Sequence, residues 1–360
     1  MQWKNKVCSV GLAFLALSSV TLSAKPKPPP DPRPLLGQFS TDFDLGEVAI
    51  HATMLPTGFV LIWDRESEAG PNGGHIDLHE SPDAKLWDPN SGILYPVPYG
   101  TLNLFCSGHA MLPNGLLLVA GGHLADGSGA PNTSLFNPFN NSWSPGPNME
   151  YGGRWYAGAV ARPNGEILVV GGNREDGTDN SIPELITATT IRGLTNANMA
   201  VADYSWIFNA PDGRVFMAGP AAQSFFLDTN GLGAWTASAV SHYPGTRVFG
   251  SAVEYLPGQV LIAGGGDQNG ITASAEIINL NSPTPSWRVI SPMHYPRQML
   301  VLSMMPDGRV LATGGDSNGN VSGAIYRHMD SFKAKRPAPQ KYAKGCRRDW
   351  QSLVPPAKTK

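Results

Sequence analysis

The chain has 360 residues, of which 15% are charged, and it contains 41 glycines and 32 prolines without a collagen period. This length accommodates one large all-β domain or two ordinary domains, and the composition favours many short strands joined by tight turns. The formal net charge of −2 is unevenly distributed along the chain. Residues 1–326 contain 16 basic and 26 acidic side chains, whereas residues 327–360 contain 10 basic and 2 acidic ones. The acidic character of the larger part argues against nucleic acid as the main partner.

The first 24 residues have the pattern of a secretory signal peptide. Lys4 and Lys6 precede an apolar run from Val7 to Leu22, and Ser23-Ala24 supplies small residues for cleavage. A membrane anchor is the alternative, but the run is short for a span. Residues 25–36 are rich in proline and predict an extended linker. We therefore expect a secreted protein, extracellular or periplasmic, without a membrane span in its mature form.

A repeated turn dominates residues 37–326. Each copy contains proline and then glycine, usually with Asn or Asp between them, and an apolar strand follows that ends in most copies in Gly-Gly. A period near fifty residues with strand–turn–strand content is typical of propeller blades. The pattern resembles the kelch repeat and predicts an all-β propeller with about six of an expected seven blades. The turn glycines are Gly58, Gly115, Gly165, Gly213, Gly258 and Gly308.

An aromatic residue and a methionine recur at matched spacing between the turns. Trp143 is followed by Met149, and Trp287 by Met293. We interpret these residues as core packing within each blade rather than as a site.

The repeat also predicts which residues lie together near the propeller axis, since residues at the same phase of successive blades lie at the same height. Cys106 and Tyr156 are then neighbours on adjacent blades, and Tyr204 is next around the ring. The alternative is that Cys106 is a small buried hydrophobe and the tyrosines are packing residues. The residues nine positions before the turn glycines are Ala49, Cys106, Tyr156, Tyr204, Phe249 and Met299.

Two short motifs carry a family resemblance. Residues 104–108 (Leu-Phe-Cys-Ser-Gly) and 154–156 (Arg-Trp-Tyr) resemble motifs of the copper radical oxidases, the family of galactose oxidase and glyoxal oxidase, over about Gly37 to Tyr326. The resemblance implies a thioether between Cys106 and the ring of Tyr156, with Tyr156 as copper ligand and radical. It also implies pocket positions for Tyr204 and Arg154. The implied reaction is the two-electron oxidation of a primary alcohol or aldehyde, or of a carbohydrate, by O2 with release of hydrogen peroxide.

The sequence departs from this family in its remaining copper ligands, which are a Tyr-His pair in the following blade and a histidine of a C-terminal domain. No Tyr-His dipeptide occurs in the sequence, and the reversed pairs 242–243 and 294–295 are out of phase and predict loops between blades. His109 and His123 are interpreted as ordinary hydrogen-bonded histidines, not as substitute ligands. We therefore expect an incomplete copper site, doubtful copper binding and a chain that is inactive as encoded.

Residues 327–360 predict a disordered basic tail unrelated to the fold. They lack the Pro-Asp-Gly turn, the Gly-Gly exit and strand alternation. A frameshift or premature stop would leave such a tail, and so would a basic interaction segment. A missing blade would expose strand edges that can pair with another copy. Two alternatives to an oxidase stay open: a non-catalytic propeller that binds a glycan or a protein, and a non-functional gene fragment.

Overall fold

The structure is a computed structural model that describes residues 45, 49–64, 67–69, 75–77, 84–100, 102–268, 270–305, 307–317 and 330–333. These residues all belong to one unit, Leu45–Lys360. The predicted signal peptide and linker, and most of the predicted tail, lie outside the described residues.

The first two blades are four-stranded antiparallel sheets, each with an additional short hairpin between its second and third strands. The sheet orders are β1-β2-β5-β6 in blade 1 and β7-β8-β11-β12 in blade 2, and the hairpins are β3-β4 and β9-β10. The strands are β1 (His51–Met54), β2 (Val60–Trp63), β3 (Ser67–Ala69), β4 (His75–Asp77), β5 (Lys85–Trp87), β6 (Leu94–Pro96), β7 (Gly108–Met111), β8 (Leu117–Ala120), β9 (His123–Ala125), β10 (Ser128–Gly129), β11 (Thr133–Asn137) and β12 (Ser142–Pro145).

Blades 3 and 4 are also four-stranded antiparallel sheets, and in both the strands pair in chain order. Blade 3 consists of β13 (Gly158–Ala161), β14 (Ile167–Val170), β15 (Glu184–Ile186) and β16 (Ile191–Gly193), and blade 4 of β17 (Trp206–Asn209), β18 (Val215–Gly219), β19 (Gln223–Asp228) and β20 (Ala234–Val240).

Blade 5 is four-stranded in the order β21-β22-β25-β26 with the short hairpin β23-β24, and blade 6 has three strands in the described residues. Five four-stranded sheets and one three-stranded sheet agree with the predicted all-β propeller of about six blades. The strands are β21 (Ser251–Leu256), β22 (Gln259–Ala263), β23 (Gly266–Asp267), β24 (Gly270–Ile271), β25 (Ala275–Asn279), β26 (Arg288–Ile290), β27 (Gln298–Met304), β28 (Arg309–Asp316) and β29 (Asp330–Lys333).

The repeated turn closes the first hairpin of each blade, as the sequence predicts. Between β7 and β8, for example, the amide of Gly115 donates to the carbonyl of Leu112 at 2.9 Å, and Gly115 has φ +82°. A glycine at this position adopts the left-handed region without steric penalty. The other five turn glycines also have positive φ.

The double glycine at the end of the second strand permits close contact between blades. A Cβ on Gly121 would lie 2.1 Å from the carbonyl oxygen of Arg154, which belongs to the next blade. Only glycine fits such an approach of two backbones.

The hydrophobic core is divided among the joints between successive blades. Strands β8 and β14 are buried at every position, as expected for apolar strands that pack on both faces. At the joint of blades 2 and 3, for example, Leu118 and Leu135 pack with Ile167 and Val169. Each pair of consecutive blades shares such a cluster, from blades 1 and 2 to blades 5 and 6.

The innermost strands define the order of the blades around the axis. Strand β7 contacts β13, β13 contacts β17, β17 contacts β21 and β21 contacts β27. Residues at the N-terminal ends of these strands are therefore brought around one axis in chain order.

Four residues of the basic tail pair with blade 6, which the sequence did not predict. Strand β29 is antiparallel to β28, and Asp330 lies opposite Ala312. Glu184 lies opposite Val169 in blade 3, and Glu276 lies opposite Ile262 in blade 5. Val169, Ile262 and Ala312 each stand two residues before the first glycine of the Gly-Gly pair in their own blade. Asp330 therefore occupies in blade 6 the register position that the two glutamates occupy in blades 3 and 5.

In the part of the chain that the structure describes, no helix has the length and apolar character required to cross a membrane.

Candidate functional site: a ring of left-handed residues

Five residues at one phase of the repeat share an unusual backbone conformation. They have φ between +47° and +69°, although L residues with large side chains rarely adopt this region. Such strain is of order 1–3 kcal/mol per residue and is found mostly where the surrounding structure enforces it, often at functional sites. These axial residues are Cys106, Tyr156, Tyr204, Phe249 and Met299.

Backbone hydrogen bonds connect the axial residues of neighbouring blades. The amide of Tyr156 donates to the carbonyl of Cys106 at 2.7 Å, and the amide of Tyr204 donates to the carbonyl of Tyr156 at 2.8 Å. The amide of Met299 likewise donates to Phe249 at 2.6 Å. The structure therefore brings Cys106, Tyr156 and Tyr204 together in the order that the repeat predicts.

The side chains of the first three axial residues also meet. Cys106 is fully buried, and its thiol forms a hydrogen bond with the Tyr204 hydroxyl. The rings of Tyr156 and Tyr204 lie 4.8 Å apart between centroids. Burial, followed by the proximity of Cys106 and Tyr156, raises the pKa of the Tyr204 phenol well above its ordinary value. Although 39% of Tyr204 is exposed, its hydroxyl end lies against these partners, and we attribute the rise in pKa to that local burial.

Trp155 extends this cluster on the side of Tyr156. Its indole stacks on the Tyr156 ring, with centroids 3.8 Å apart and planes inclined by 22°. Its Nε1 donates to His123 Nδ1 at 3.1 Å, so that nitrogen of the imidazole acts as an acceptor. The sequence indicated neither contact. The only signal was that Trp155 directly precedes an axial residue and that His123 directly follows a Gly-Gly pair.

A pair of neutral histidines lies on the other side of Cys106. His51 Nε2 accepts a hydrogen bond from the Cys106 amide at 3.1 Å, and its ring stacks on Trp63 at 4.8 Å. His109 lies 5.6 Å from His51 between ring centroids. Burial lowers the pKa of His109 to about 4, and burial, followed by the proximity of His109, lowers the pKa of His51 well below its ordinary value.

Sequence reasoning missed His51 because the axial position of blade 1 is Ala49, two residues earlier. His123 has a hydrogen bond of the kind that the sequence predicted for it, and His109 packs against Trp63 with ring centroids 5.0 Å apart.

Arg154 has a different role from the predicted one. It is fully buried, and its guanidinium donates to the carbonyl of Gly171 at 2.8 Å and to Glu184 Oε2 at 2.7 Å. These partners all belong to blade 3. Arg154 therefore holds its own blade together, which corrects the interpretation of it as a pocket residue.

The same arrangement recurs in other blades. Arg247 donates to the carbonyl of Gly264 at 3.0 Å and to Glu276 Oε1 at 2.9 Å, and Arg297 donates to the carbonyl of Gly314 at 3.1 Å. A buried arginine eleven residues before the turn glycine is thus a structural feature of the repeat.

The two reversed His-Tyr pairs lie on loops between blades, as predicted. His242 and Tyr243 follow β20, and the Nδ1 of His242 lies 2.9 Å from Glu276 Oε2. His294 and Tyr295 lie between β26 and β27. Neither pair belongs to the axial residues.

The axial residues next to Tyr156 supply a thiol and a phenol as possible metal donors. The described residues contain no group of three His, Cys, Asp or Glu side chains that could hold a metal ion. Two imidazoles contact this cluster: His51 accepts a hydrogen bond from the Cys106 amide, and His123 accepts one from the Trp155 indole. The ring thus offers a thiol and phenols, whereas Cu(II) prefers a tetragonal set that includes imidazole nitrogen.

Comparison with known proteins identifies relatives of this chain. No family profile matches the sequence. Two curated galactose oxidases of Gibberella zeae, one of them from strain PH-1, are 30% identical to it over 323 residues, which is 80% of this chain but 45% of the relative. The chain thus spans about half the length of the curated relatives that it matches.

Among solved structures, the fold is similar to that of a fungal alcohol oxidase of the AA5 family in complex with copper. The TM-score is 0.60 and the identity 23%, over 73% of this chain and 58% of the other. Over 80% of its length, this chain is a relative of galactose oxidase, and its fold is similar to that of the fungal alcohol oxidase.

Proposed function

We propose that this chain carries one half of a copper radical oxidase site, with Cys106 and Tyr156 at the positions of the thioether pair. The observation that supports this is the hydrogen bond from the Tyr156 amide to the Cys106 carbonyl, which holds the two residues side by side on neighbouring blades. In a complete site, copper would add the second redox centre required for a two-electron oxidation of an alcohol or aldehyde by O2.

The surrounding residues fit a role in holding this pair. Tyr204 bonds the thiol of Cys106, and Trp155 covers one face of the Tyr156 ring. Stacking fixes the orientation of the half-buried Tyr156 ring. Tyr204 is thus a positioning residue for Cys106 and a candidate wall of the substrate pocket.

We further propose that the chain by itself binds copper weakly and does not turn over. The described residues contain no group of three His, Cys, Asp or Glu side chains that could hold a metal ion, and the sequence contains no Tyr-His pair. The substrate of a completed site would be a small primary alcohol, aldehyde or carbohydrate, in keeping with the name of the curated relatives. Secretion is proposed from the N-terminal pattern, and pairing of copies through a strand edge from the six repeated turns where seven blades are expected.

The test is mass spectrometry combined with an oxidase assay. The purified chain is incubated with Cu²⁺ in air, then denatured, alkylated and digested. We expect a linked peptide that contains Cys106 and Tyr156 and lacks two hydrogens. Hydrogen peroxide release with galactose or benzyl alcohol should equal that of the Cys106→Ser variant. Complete alkylation of Cys106 would overturn the thioether pair, and peroxide release above that variant would overturn the proposed lack of turnover.

A non-catalytic propeller is the second candidate function. The observation that favours it is that His51 already accepts a hydrogen bond from the Cys106 amide and His123 accepts one from the Trp155 indole. Under this function, neither a linked peptide nor copper-dependent peroxide release appears, and Cys106→Ser behaves like the parent in both assays.

A further inference from the structure

Three segments of the sequence have the pattern Asn-x-Ser, with a residue other than proline in the middle, that accepts N-linked glycans in eukaryotic secretory pathways. They begin at Asn132, Asn140 and Asn320. Asn320 lies outside the described residues. The other two lie on either side of strand β11 in blade 2, in different structural settings. The structure therefore distinguishes between these two acceptors.

Asn140 lies in the turn between β11 and β12, the two outer strands of blade 2. The amide of Phe139 donates to Asn137 Oδ1 at 3.0 Å, and this local hydrogen bond begins the turn. The turn is a recurring part of the fold, and in blade 2 it presents the acceptor sequence. The residues that accept the equivalent bond in blades 1, 4 and 5 are Asp88, Asp228 and Asn279.

The side-chain nitrogen of Asn140 faces away from its neighbours in the turn. Asn140, Asn141 and Ser142 are all exposed, and the Ser142 hydroxyl donates to Asn140 Oδ1 at 2.7 Å. Because the oxygen and the nitrogen of an amide point in different directions from one carbon, this bond turns the Asn140 Nδ2 away from Ser142. Among the described residues, that Nδ2 makes no hydrogen bond. Its hydrogens are therefore available for replacement by a sugar.

The other acceptor sequence is less accessible in the folded chain. The Nδ2 of Asn132 donates to Asn148 Oδ1 at 3.3 Å. The hydroxyl residue of this sequence is Ser134, which is fully buried on β11 between β8 and β12. An enzyme that recognises the pattern must contact the hydroxyl at its third position. In the folded chain it can reach the hydroxyl of Ser142 but not that of Ser134.

We propose that Asn140 is an N-glycosylation site. The step transfers an oligosaccharide from a lipid diphosphate donor, without oxidation or reduction. The Asn140 Nδ2 forms a bond to C1 of the first sugar and loses one proton, while the bond from C1 to the diphosphate oxygen breaks and the lipid diphosphate leaves. The proposal rests on the proposed secretion, by a eukaryotic cell, and is independent of Cys106 and Tyr156.

The first test is secretion of the full chain by a yeast, followed by enzymatic release of N-linked glycans in heavy-oxygen water. Release converts each glycosylated asparagine into a heavy aspartate, so peptide mass spectrometry measures each site separately. We expect the label at Asn140, and its absence there in the secreted chain would overturn the proposal. Retention of the chain inside the cell would instead contradict the proposed secretion. The same measurement with a yeast secretion leader placed before the full chain then decides the fate of Asn140 alone.

The second test examines the accessibility of the two sites without a secretory pathway. The folded full chain, produced in bacteria, is incubated with UDP-glucose and a soluble N-glycosyltransferase that recognises the same pattern. We expect one hexose at Asn140 and none at Asn132, whereas peptides from a digest of the chain should be modified at both. Modification of Asn132 in the folded chain, or an unmodified Asn140 there, would overturn the structural basis of the proposal.

Four variants control both tests. Asn140→Gln should lose the modification, and Ser142→Ala should lose it although the acceptor is still present. Ser142→Thr should retain it, because the hydroxyl is kept. Asn90→Gln, in the equivalent exposed turn of blade 1, should not change the pattern. Circular dichroism verifies that each variant is folded, and a modification that persists at Asn140 in Ser142→Ala would contradict recognition of this sequence.

Discussion

The amide of Tyr156 donates a hydrogen bond to the carbonyl of Cys106 at 2.7 Å, although fifty residues separate the two in the chain. Both residues have a left-handed backbone, and the Tyr204 hydroxyl joins them by its bond to the Cys106 thiol. This relationship between blades 2 and 3 allows the structure to be tested residue by residue.

The bond between Tyr204 and Cys106 should be measurable as a coupling. Tyr204→Phe should lower the free energy of unfolding by about 1 kcal/mol, the usual net contribution of such a bond. In a double-mutant cycle with Cys106→Ala, the effects should be non-additive by at least about 0.5 kcal/mol. Urea unfolding checks this, with Tyr295→Phe on an exposed loop as the control. Additive effects would show that the two side chains do not interact.

Because the axial residues have a left-handed backbone conformation, we expect a glycine substitution at one of them to stabilise the folded protein. Met299 has φ +56° and is 42% exposed, so Met299→Gly relieves strain and removes little buried surface. We expect a gain of up to about 1 kcal/mol in the free energy of unfolding. Met304→Gly, on the same strand β27 and 57% exposed, is the matched control and should destabilise. Equal destabilisation by the two variants would contradict a strained backbone at Met299.

Arg154 should be essential for stability. Its guanidinium and the carboxylate of Glu184 are both fully buried, 2.7 Å apart. Arg154→Met leaves the Glu184 carboxylate buried without its partner and should lower the free energy of unfolding by about 3–5 kcal/mol. Arg309→Met removes a partly exposed pair with Asp307 and should lower it by about 1 kcal/mol or less. The prediction fails if the two variants unfold at the same urea concentration.

The buried histidines predict a loss of stability in mild acid. In the folded protein the pKa of His109 is about 4 and that of His51 is also lowered, so both are neutral, whereas in the unfolded chain they gain protons below about pH 6.5. Between about pH 6.5 and pH 4, the unfolded state therefore binds more protons than the folded state. The free energy of unfolding decreases as the pH is lowered across that window. Between about pH 7.5 and pH 5.5, we expect a loss of about 1 kcal/mol per histidine.

Urea unfolding at the two pH values measures this loss. His109→Gln should reduce the difference, because one buried imidazole is removed. His294→Gln, at an exposed position, should leave the difference unchanged. An equal pH dependence in His109→Gln and the parent would show that His109 is not responsible.

The repeat made much of this fold and site predictable. Turn glycines such as Gly115 and Gly165 indicated the number of hairpins and the phase of the repeat, and the phase predicted that Cys106, Tyr156 and Tyr204 follow one another around the axis. This succeeds because equivalent positions of a propeller lie at one height, so that one-dimensional spacing determines neighbours around the axis.

Contacts that depend on the direction of a side chain could not be predicted from the repeat. Arg154 was interpreted as a pocket residue because it stands two positions from Tyr156, but its partner Glu184 is thirty residues further on and becomes adjacent only through strand pairing. The contact of His51 with Cys106 and that of Trp155 with His123 depend on rotamers that no spacing rule specifies. The strand Asp330–Lys333 has no alternating pattern, and its place beside β28 follows from register rather than from composition.

The hydrogen bonds that connect axial residues of neighbouring blades join the amide of one residue to the carbonyl of the next, so they involve only main-chain atoms. Cysteine, tyrosine, phenylalanine and methionine all adopt the same geometry there, so the scaffold does not dictate which side chain it presents. A substitution at one of these positions can therefore alter the chemistry at the centre of the molecule while the blades keep their mutual arrangement. The propeller thus separates the evolution of its reactivity from the maintenance of its architecture.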